Sequence, residues 1–249
     1  MKLPKKIFRI DPKEAYKIYL AEASKPKKKP EQKATITPAD IQDPESYIIL
    51  EGRAHGSYSY PDILVSTGKD YHNQNWNQAH QSLHQNNEFM LTIRQSADFI
   101  NLLKSGSAYD GKGNQLPKSK TNSILDEILK VRAPWRSEWL DSKFTKSGKQ
   151  LQITYHKIQP DGTIKETTEP LEECLMEDRK INLDHWLNNA NSQGLPVKNT
   201  PKGDVYYLHP REGYVAGLGV DSGRAYLSCG GVPRYSYSSR GVRHAKIKA

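Results

Sequence analysis

The stretch Tyr214–Arg243, YVAGLGVDSGRAYLSCGGVPRYSYSSRGVR, constrains this chain more than any other. Its apolar side chains are sparse and regularly placed: Val215, Leu218, Val220, Ala225, Leu227, Cys229, Pro233 and Val242. Leu218 and Val220 alternate with other residues, as do Ala225, Leu227 and Cys229. Successive side chains on a strand point to opposite faces, so this period predicts two strands with one face on a core. The positions between and after them are Gly219, Asp221, Gly223, Arg224, Tyr226, Ser228, Gly230, Gly231, Val232, Arg234, Tyr235 and Tyr237. They share no chemistry, being small, aromatic, acidic, basic or aliphatic. They are the candidate ligand-binding residues, expected to point away from the core.

Lys, Glu, Gln, Met and Trp together occur 59 times in the 249 residues, and none lies between 214 and 243. A tight, glycine-rich strand and loop region disfavours long charged side chains and accounts for the many Gly and Ser. It does not account for the missing Gln and Glu, because Asp221, Arg224, Arg234 and Arg240 are tolerated in the same segment.

The spacing of Ala225, Leu227, Cys229 and Pro233, followed by Gly241-Val242-Arg243 and Ala245, resembles the variable region of the target proteins of diversity-generating retroelements. In that family a reverse transcriptase copies a template with errors at adenines, and the copy replaces the 3′ end of the gene. The resemblance implies template AAY codons, which cannot become Lys, Glu, Gln, Met or Trp. Those are the five types absent here. It also implies an α+β domain of the C-type-lectin fold, in the branch related to formylglycine-generating enzymes, with the variable residues displayed on its surface. Archaeal and archaeal-virus members are the most similar. The likeness covers roughly residues 58–249 and is strongest over 70–104 and 214–245.

Charge divides the chain. The net charge is +9, and residues 1–33 alone hold ten Lys and one Arg against four acids. A nucleic-acid interface needs a basic face on the folded domain, whereas the basicity here is concentrated at the N-terminal end. The expectation is a basic Lys/Pro-rich arm and linker over 1–38, carrying a short helix after Asp11-Pro12, and a folded domain over 39–249 that does not require nucleic acid. No apolar run follows the basic start, so no signal peptide is expected, and no run is long enough to span a membrane. The expected origin is the cytoplasm, with display on a virion or cell surface through a partner. Two cysteines, Cys174 and Cys229, make no disulfide framework.

Along the domain, residues 58–66 predict one strand, which in the family fold pairs with the last strand, 242–247. Trp76, Ala79 and Leu83 predict a helix over 75–84, and Phe99, Ile100, Leu102 and Leu103 a second over 94–104 stopped at Gly106. A third is expected over 124–132, ended by Pro134, and a fourth over 183–191. Trp135 and Trp139 are expected to anchor the following segment to the core. Asp161-Gly162 between two alternating runs predicts a hairpin over 151–168. Val205–Leu208 predicts a strand.

Other chemistries find less support. His80 and His84 stand i, i+4 on one helix face, a spacing compatible with zinc. The metalloprotease form needs Glu after the first His, and residue 81 is Gln. No third ligand is suggested by spacing, so the expectation is no metal and no cofactor. Calcium-dependent lectins of this fold use Glu-Pro-Asn or Gln-Pro-Asp with Trp-Asn-Asp, and none of these occurs; Glu169-Pro170-Leu171 comes nearest. The formylglycine-generating branch needs a cysteine pair for its copper-type oxidase chemistry, and Cys229 has only Cys174 to pair with. The expected function is binding without catalysis, by a monomer, of a protein or glycan ligand. An oxidase of the formylglycine-generating branch and a calcium-dependent lectin are the alternatives.

Overall fold

A computed structural model describes residues 43–248. The arm over 1–38, the helix after Asp11-Pro12 and the domain start at residue 39 lie outside the described residues.

The described residues open with a 3-10 turn (Pro44–Ser46) and four short strands: β1 (Tyr47–Leu50), β2 (Arg53–His55), β3 (Tyr58–Tyr60) and β4 (Ile63–Ser66). The single strand expected over 58–66 is thus two, because Pro61 has no N–H to give a ladder. Helix α1 (Trp76–Gln85) follows, then β5 (Phe89–Met90) and helix α2 (Ile93–Ser105). Both helices begin with a capping box: Asn75 and Gln78 exchange side-chain and backbone bonds, as do Thr92 and Gln95. These reciprocal bonds satisfy N–H groups the first turn leaves open. Gly106 ends α2 with φ +67, a left-handed cap that glycine adopts without a Cβ penalty.

Helix α3 runs Lys118–Leu129, earlier than the 124–132 expected. Its buried face is Thr121, Ile124 and Ile128, so a fully buried threonine fills the position where periodicity demands an apolar residue. It stops at Leu129 because Lys130 is extended, and Arg136 takes up the carbonyls of Glu127 and Lys130. The expected hairpin is β7 (Gln150–Ile158) and β8 (Ile164–Pro170), joined through Asp161-Gly162, with the longer β6 (Arg136–Ser147) before it. Then come β9 (Arg179–Ile181), α4 (Leu183–Asn189), β10 (Val205–Leu208), β11 (Val215–Val220), β12 (Ala225–Gly231), β13 (Arg240–Gly241) and β14 (His244–Ile247).

Two larger sheets and one short hairpin result. The first sheet has the order β1-β4-β14-β5. At its centre β4 pairs with the last strand, with Val65 opposite Ala245 and Ile63 opposite Ile247, the pairing expected between residues 58–66 and 242–247. The second has the order β8-β7-β6-β11-β12-β10-β9, with β13 added beside β6. Only the β10–β12 and β6–β13 pairs are parallel. The architecture is mixed α+β with mostly antiparallel sheets.

The two faces of the large sheet carry different layers. Leu218, Val220, Ala225, Leu227, Cys229, Val205 and Tyr207 belong to the main core with residues of α2 and α3. On the opposite face Trp139 and Val215 pack with Trp76, Ala79 and Leu83 of α1. Trp76 donates its indole N–H to the Leu140 carbonyl, and Trp139 donates to that of Gln74. Trp139 is therefore the expected anchor. Trp135 is only half-buried and belongs to a surface cluster instead.

Arg243 ties the last strand to everything around it. It is 2% exposed, pairs with Glu138 at 3.0 Å and Glu127 at 2.5 Å, and donates to the carbonyls of Ser66 and Thr67. No helix among the described residues is long and apolar enough to cross a membrane.

Candidate functional site

Strands β11 and β12 pair antiparallel with Leu218 opposite Leu227, Val220 opposite Ala225 and Gly219 opposite Tyr226. The phase read from the alternation is therefore the observed one, and the residues between the core positions do point to the other face. That face is covered in part. After Gly231 the chain loops through 232–239 and returns as β13 with Arg240 opposite Ser137. The loop is held by turn bonds, Val232 O to Tyr235 N and Tyr237 O to Arg240 N. It is also stitched to the start of α1 and the segment before it: Trp76 N donates to Pro233 O at 3.0 Å and Asn73 N to Tyr237 O at 3.3 Å.

Arg240 organises the aromatic part of this surface. Its guanidinium lies 4.0 Å from the Trp139 ring centre, 5.2 Å from Trp135 and 5.4 Å from Tyr237, and it donates to Ser137 Oγ at 2.7 Å. A cation over ring faces is held by the ring quadrupoles. Trp135 meets Tyr237 edge-on at 5.3 Å, and Tyr237 meets Tyr235 edge-on at 6.3 Å. Arg234 lies 5.2 Å over the Tyr235 ring. Tyr237 is 38% exposed, while Val232, Arg234 and Tyr235 are half-buried.

Tyr226 is different, and here the expectation of an outward-exposed ring is corrected. It is 9% exposed, and the Trp135 indole N–H donates to its hydroxyl. Burial pushes its phenol up. It occupies the predicted face, but Trp135 and the returning chain roof it over. Gly219 and Gly231 are corrected with it. A Cβ on Gly219 would lie 2.7 Å from Ser137 Cβ and 2.7 Å from Tyr226 Oη; one on Gly231 would lie 2.9 Å from Val215 O. These glycines are dictated by packing and are not open positions.

The remaining candidates are accessible. The turn between β11 and β12 exposes Gly223 and Arg224, with Asp221 half-buried and accepting from both their backbone N–H groups at 2.8 and 3.0 Å. Arg224 lies 4.4 Å over the Tyr206 ring. Ser228 is half-buried and accepts from Gly230 N. Gly230 and Gly223 have no atom within 3.4 Å of a built Cβ, so both could carry side chains.

Spacing along the sequence suggests no third ligand for His80 and His84, but the fold brings one close. His156 of β7 completes a group of three, in which one ring nitrogen from each lies within 4.8 Å of the other two. Asp141 of β6 stands behind it. No sequence spacing links His156 to α1; the link is made by α1 lying across β6 and β7.

Cys174 and Cys229 are both buried and unbridged. Burial pushes the Cys174 thiol up to about 11 and the Cys229 thiol well above its ordinary value. The nearest approach to a calcium-lectin motif, Glu169-Pro170-Leu171, lies at the end of β8, where the Glu169 carboxylate and the Pro170 carbonyl both accept from the Gln193 amide.

Comparison with protein-family models, with curated proteins and with solved structures returned no match.

Proposed function

We propose that this is a ligand-binding protein of the diversity-generating-retroelement target type, built on a C-type-lectin-type scaffold. Its recognition surface comprises the Asp221–Arg224 turn, Ser228 and Gly230 of β12, and the 232–239 loop with Val232, Arg234, Tyr235 and Tyr237. The ligand class is a protein or glycan on another cell or virus.

The observation that carries the reading is the aromatic cluster around Arg240. Tyr235, Tyr237 and Trp135 stand at the surface in edge-on contacts, fixed from beneath by a cation. Tyr supplies large contact area at low entropy cost, while Ser and Gly adapt around it, as in antibody loops. The loop's bonds to the start of α1 and the segment before it hold it in place before a ligand arrives, which lowers the ordering cost of binding. The five excluded residue types fit the adenine-directed origin. The lectin-type scaffold is supported by the pairing of β4 with β14 and by the two capped helices between the sheets' strands.

The rival reading, catalysis by the formylglycine-generating branch, needs a reactive thiol pair; burial pushes the Cys174 and Cys229 thiols up, so neither is a ready nucleophile before a metal binds.

The test is genetic. The DNA near the gene should hold a near-repeat of the 3′ coding end that differs at adenines, with a reverse-transcriptase gene close by. Absence of both from the complete source genome rejects the retroelement reading.

A further inference from the structure

We propose that His80, His84 and His156 form a binding site for one zinc-type divalent cation, which pins α1 to the large sheet. The donor set is three imidazoles with no oxygen ligand among them. Imidazole suits first-row transition metals of the zinc type, whereas calcium and magnesium take oxygen.

The geometry converges. His80 and His84 lie one helical turn apart on α1, and their rings stand 5.9 Å from each other. His156 comes from β7; its ring is tilted 4.7 Å from His80 and stands edge-on 5.3 Å from His84. His80 is 7% exposed; its Nδ1 and the Nε2 of His84 have no hydrogen-bond partner, while its Nε2 has only the Asp141 carboxylate, at 3.4 Å. A buried polar atom left unpaired is costly, and a metal ion would satisfy these nitrogens together.

A second layer is in place. Asp141 is 1% exposed; it accepts from His156 N at 2.7 Å and lies 3.1 Å from His156 Nδ1. Its other contact is His80 Nε2, at 3.4 Å. A carboxylate behind a ligating imidazole fixes the ring and its tautomer and strengthens it as a ligand.

The fold gives the site a structural task. Helix α1 is fixed at its first turn by Trp76, which binds both Leu140 and the 232–239 loop. The cation would fix the same helix one and two turns further on, through β7. Three protein ligands leave one tetrahedral position for water or a ligand group, at the half-buried His84 and His156 side of the cluster.

The experiment uses the untagged full chain, stripped with a chelator and dialysed. Titration with Zn²⁺ should give one ion per chain, and Co²⁺ should give the visible bands of four-coordinate nitrogen ligation. Saturating Zn²⁺ should raise the Tm, because an ion bound only to the folded state stabilises it. His80→Ala, His84→Ala and His156→Ala should each abolish stoichiometric binding. Asp141→Asn should weaken it about 10–100-fold, and His72→Ala, at an exposed position outside the cluster, should change nothing. Wild type that takes up no Zn²⁺ at micromolar concentration overturns the proposal. So does a folded His156→Ala variant that binds as wild type. If a histidine variant fails to fold, the wild-type titration and Asp141→Asn still decide.

Discussion

Gly219 and Tyr226 face each other across the β11–β12 pair, and the missing side chain of one makes room for the ring of the other. A Cβ on Gly219 would meet the Tyr226 hydroxyl and Ser137 Cβ at 2.7 Å, and the Arg136 carbonyl at 2.8 Å. Two of these three neighbours are not flexible side-chain ends and cannot give way cheaply. Gly219→Ala should therefore cost roughly 1–3 kcal/mol as an overpacked site. Gly223→Ala, whose Cβ would meet only Asp221 Oδ1 at an ordinary 3.5 Å, should stay within about 0.5 kcal/mol. Urea melts of the two variants check this, and similar losses would mean that Tyr226 is not seated as described.

The neighbouring pair Leu227 and Ser228 separates the two faces of β12. Leu227 is fully buried, whereas Ser228 is half-buried with one bond to Gly230 N. Leu227→Ala should cost about 2–5 kcal/mol, the range for a leucine removed from a core. Ser228→Tyr should cost less than about 1.5 kcal/mol, no more than one hydrogen bond contributes. Equal shifts of the urea midpoint would show that the faces are assigned the wrong way round.

Arg243 is a different kind of position. Its guanidinium serves Glu138, Glu127 and two carbonyls at the end of β4 while fully buried. Arg243→Met leaves Glu138, itself 5% exposed, without its cation. Removing one partner of a buried pair costs about 3–5 kcal/mol. Arg243→Lys should recover only part of that, since an ammonium lacks the planar fork. Thermal or urea unfolding reads both, and a neutral Arg243→Met would place the arginine at the surface.

Alkaline pH should destabilise the fold. Burial raises the phenols of Tyr58, Tyr60, Tyr155 and Tyr207 above their ordinary 10.0. It likewise pushes Cys174 from 9.0 up to about 11 and Cys229 well above that ordinary value. An acid with a raised folded pKa keeps its proton when folded, while the unfolded chain loses it at the ordinary pKa. Unfolding is then favoured as pH rises through the unfolded value. Stability should be level near pH 7–8 and fall from about pH 9 upward, first through the thiols and then the phenols. Urea midpoints measured across that range check it, and a midpoint unchanged well above pH 10 would mean these groups are solvated.

What could be read in the sequence follows the range of the forces involved. The helices over 75–84 and 94–104, the Asp161-Gly162 turn and the Leu218–Cys229 alternation are set by residues within a few positions. They stand in the structure where the pattern places them. Tyr226 was misjudged because a strand period tells which face a ring takes, not what later covers it. Trp135 and Arg240 do the covering, and they arrive from outside the strand. His156 could not be joined to His80 and His84 because that contact depends on how α1 lies on β6 and β7. Thr121 hid the first turn of α3 by supplying a buried face with a polar residue.

The last prediction concerns the recognition surface. Tyr237 and Tyr235 are the accessible rings of the cluster, and Arg234 lies over Tyr235. Aromatic and Arg side chains dominate interface energetics because they bury much area and keep a polar tip. Both rings are held by Trp135 and each other, so little side-chain entropy remains to be lost on binding. Tyr226 stabilises the floor instead of touching a ligand. With a ligand captured by display selection against cell-surface and virion preparations, Tyr235→Ala and Tyr237→Ala should each weaken binding by about 1–3 kcal/mol. Their melting should barely change. Tyr226→Ala should do the reverse in its direct effect, lowering the Tm by leaving a cavity under Trp135. Normal binding by both loop variants would remove this surface from the recognition site, and a Tyr226→Ala variant that melts as wild type would show that its ring is not part of the floor.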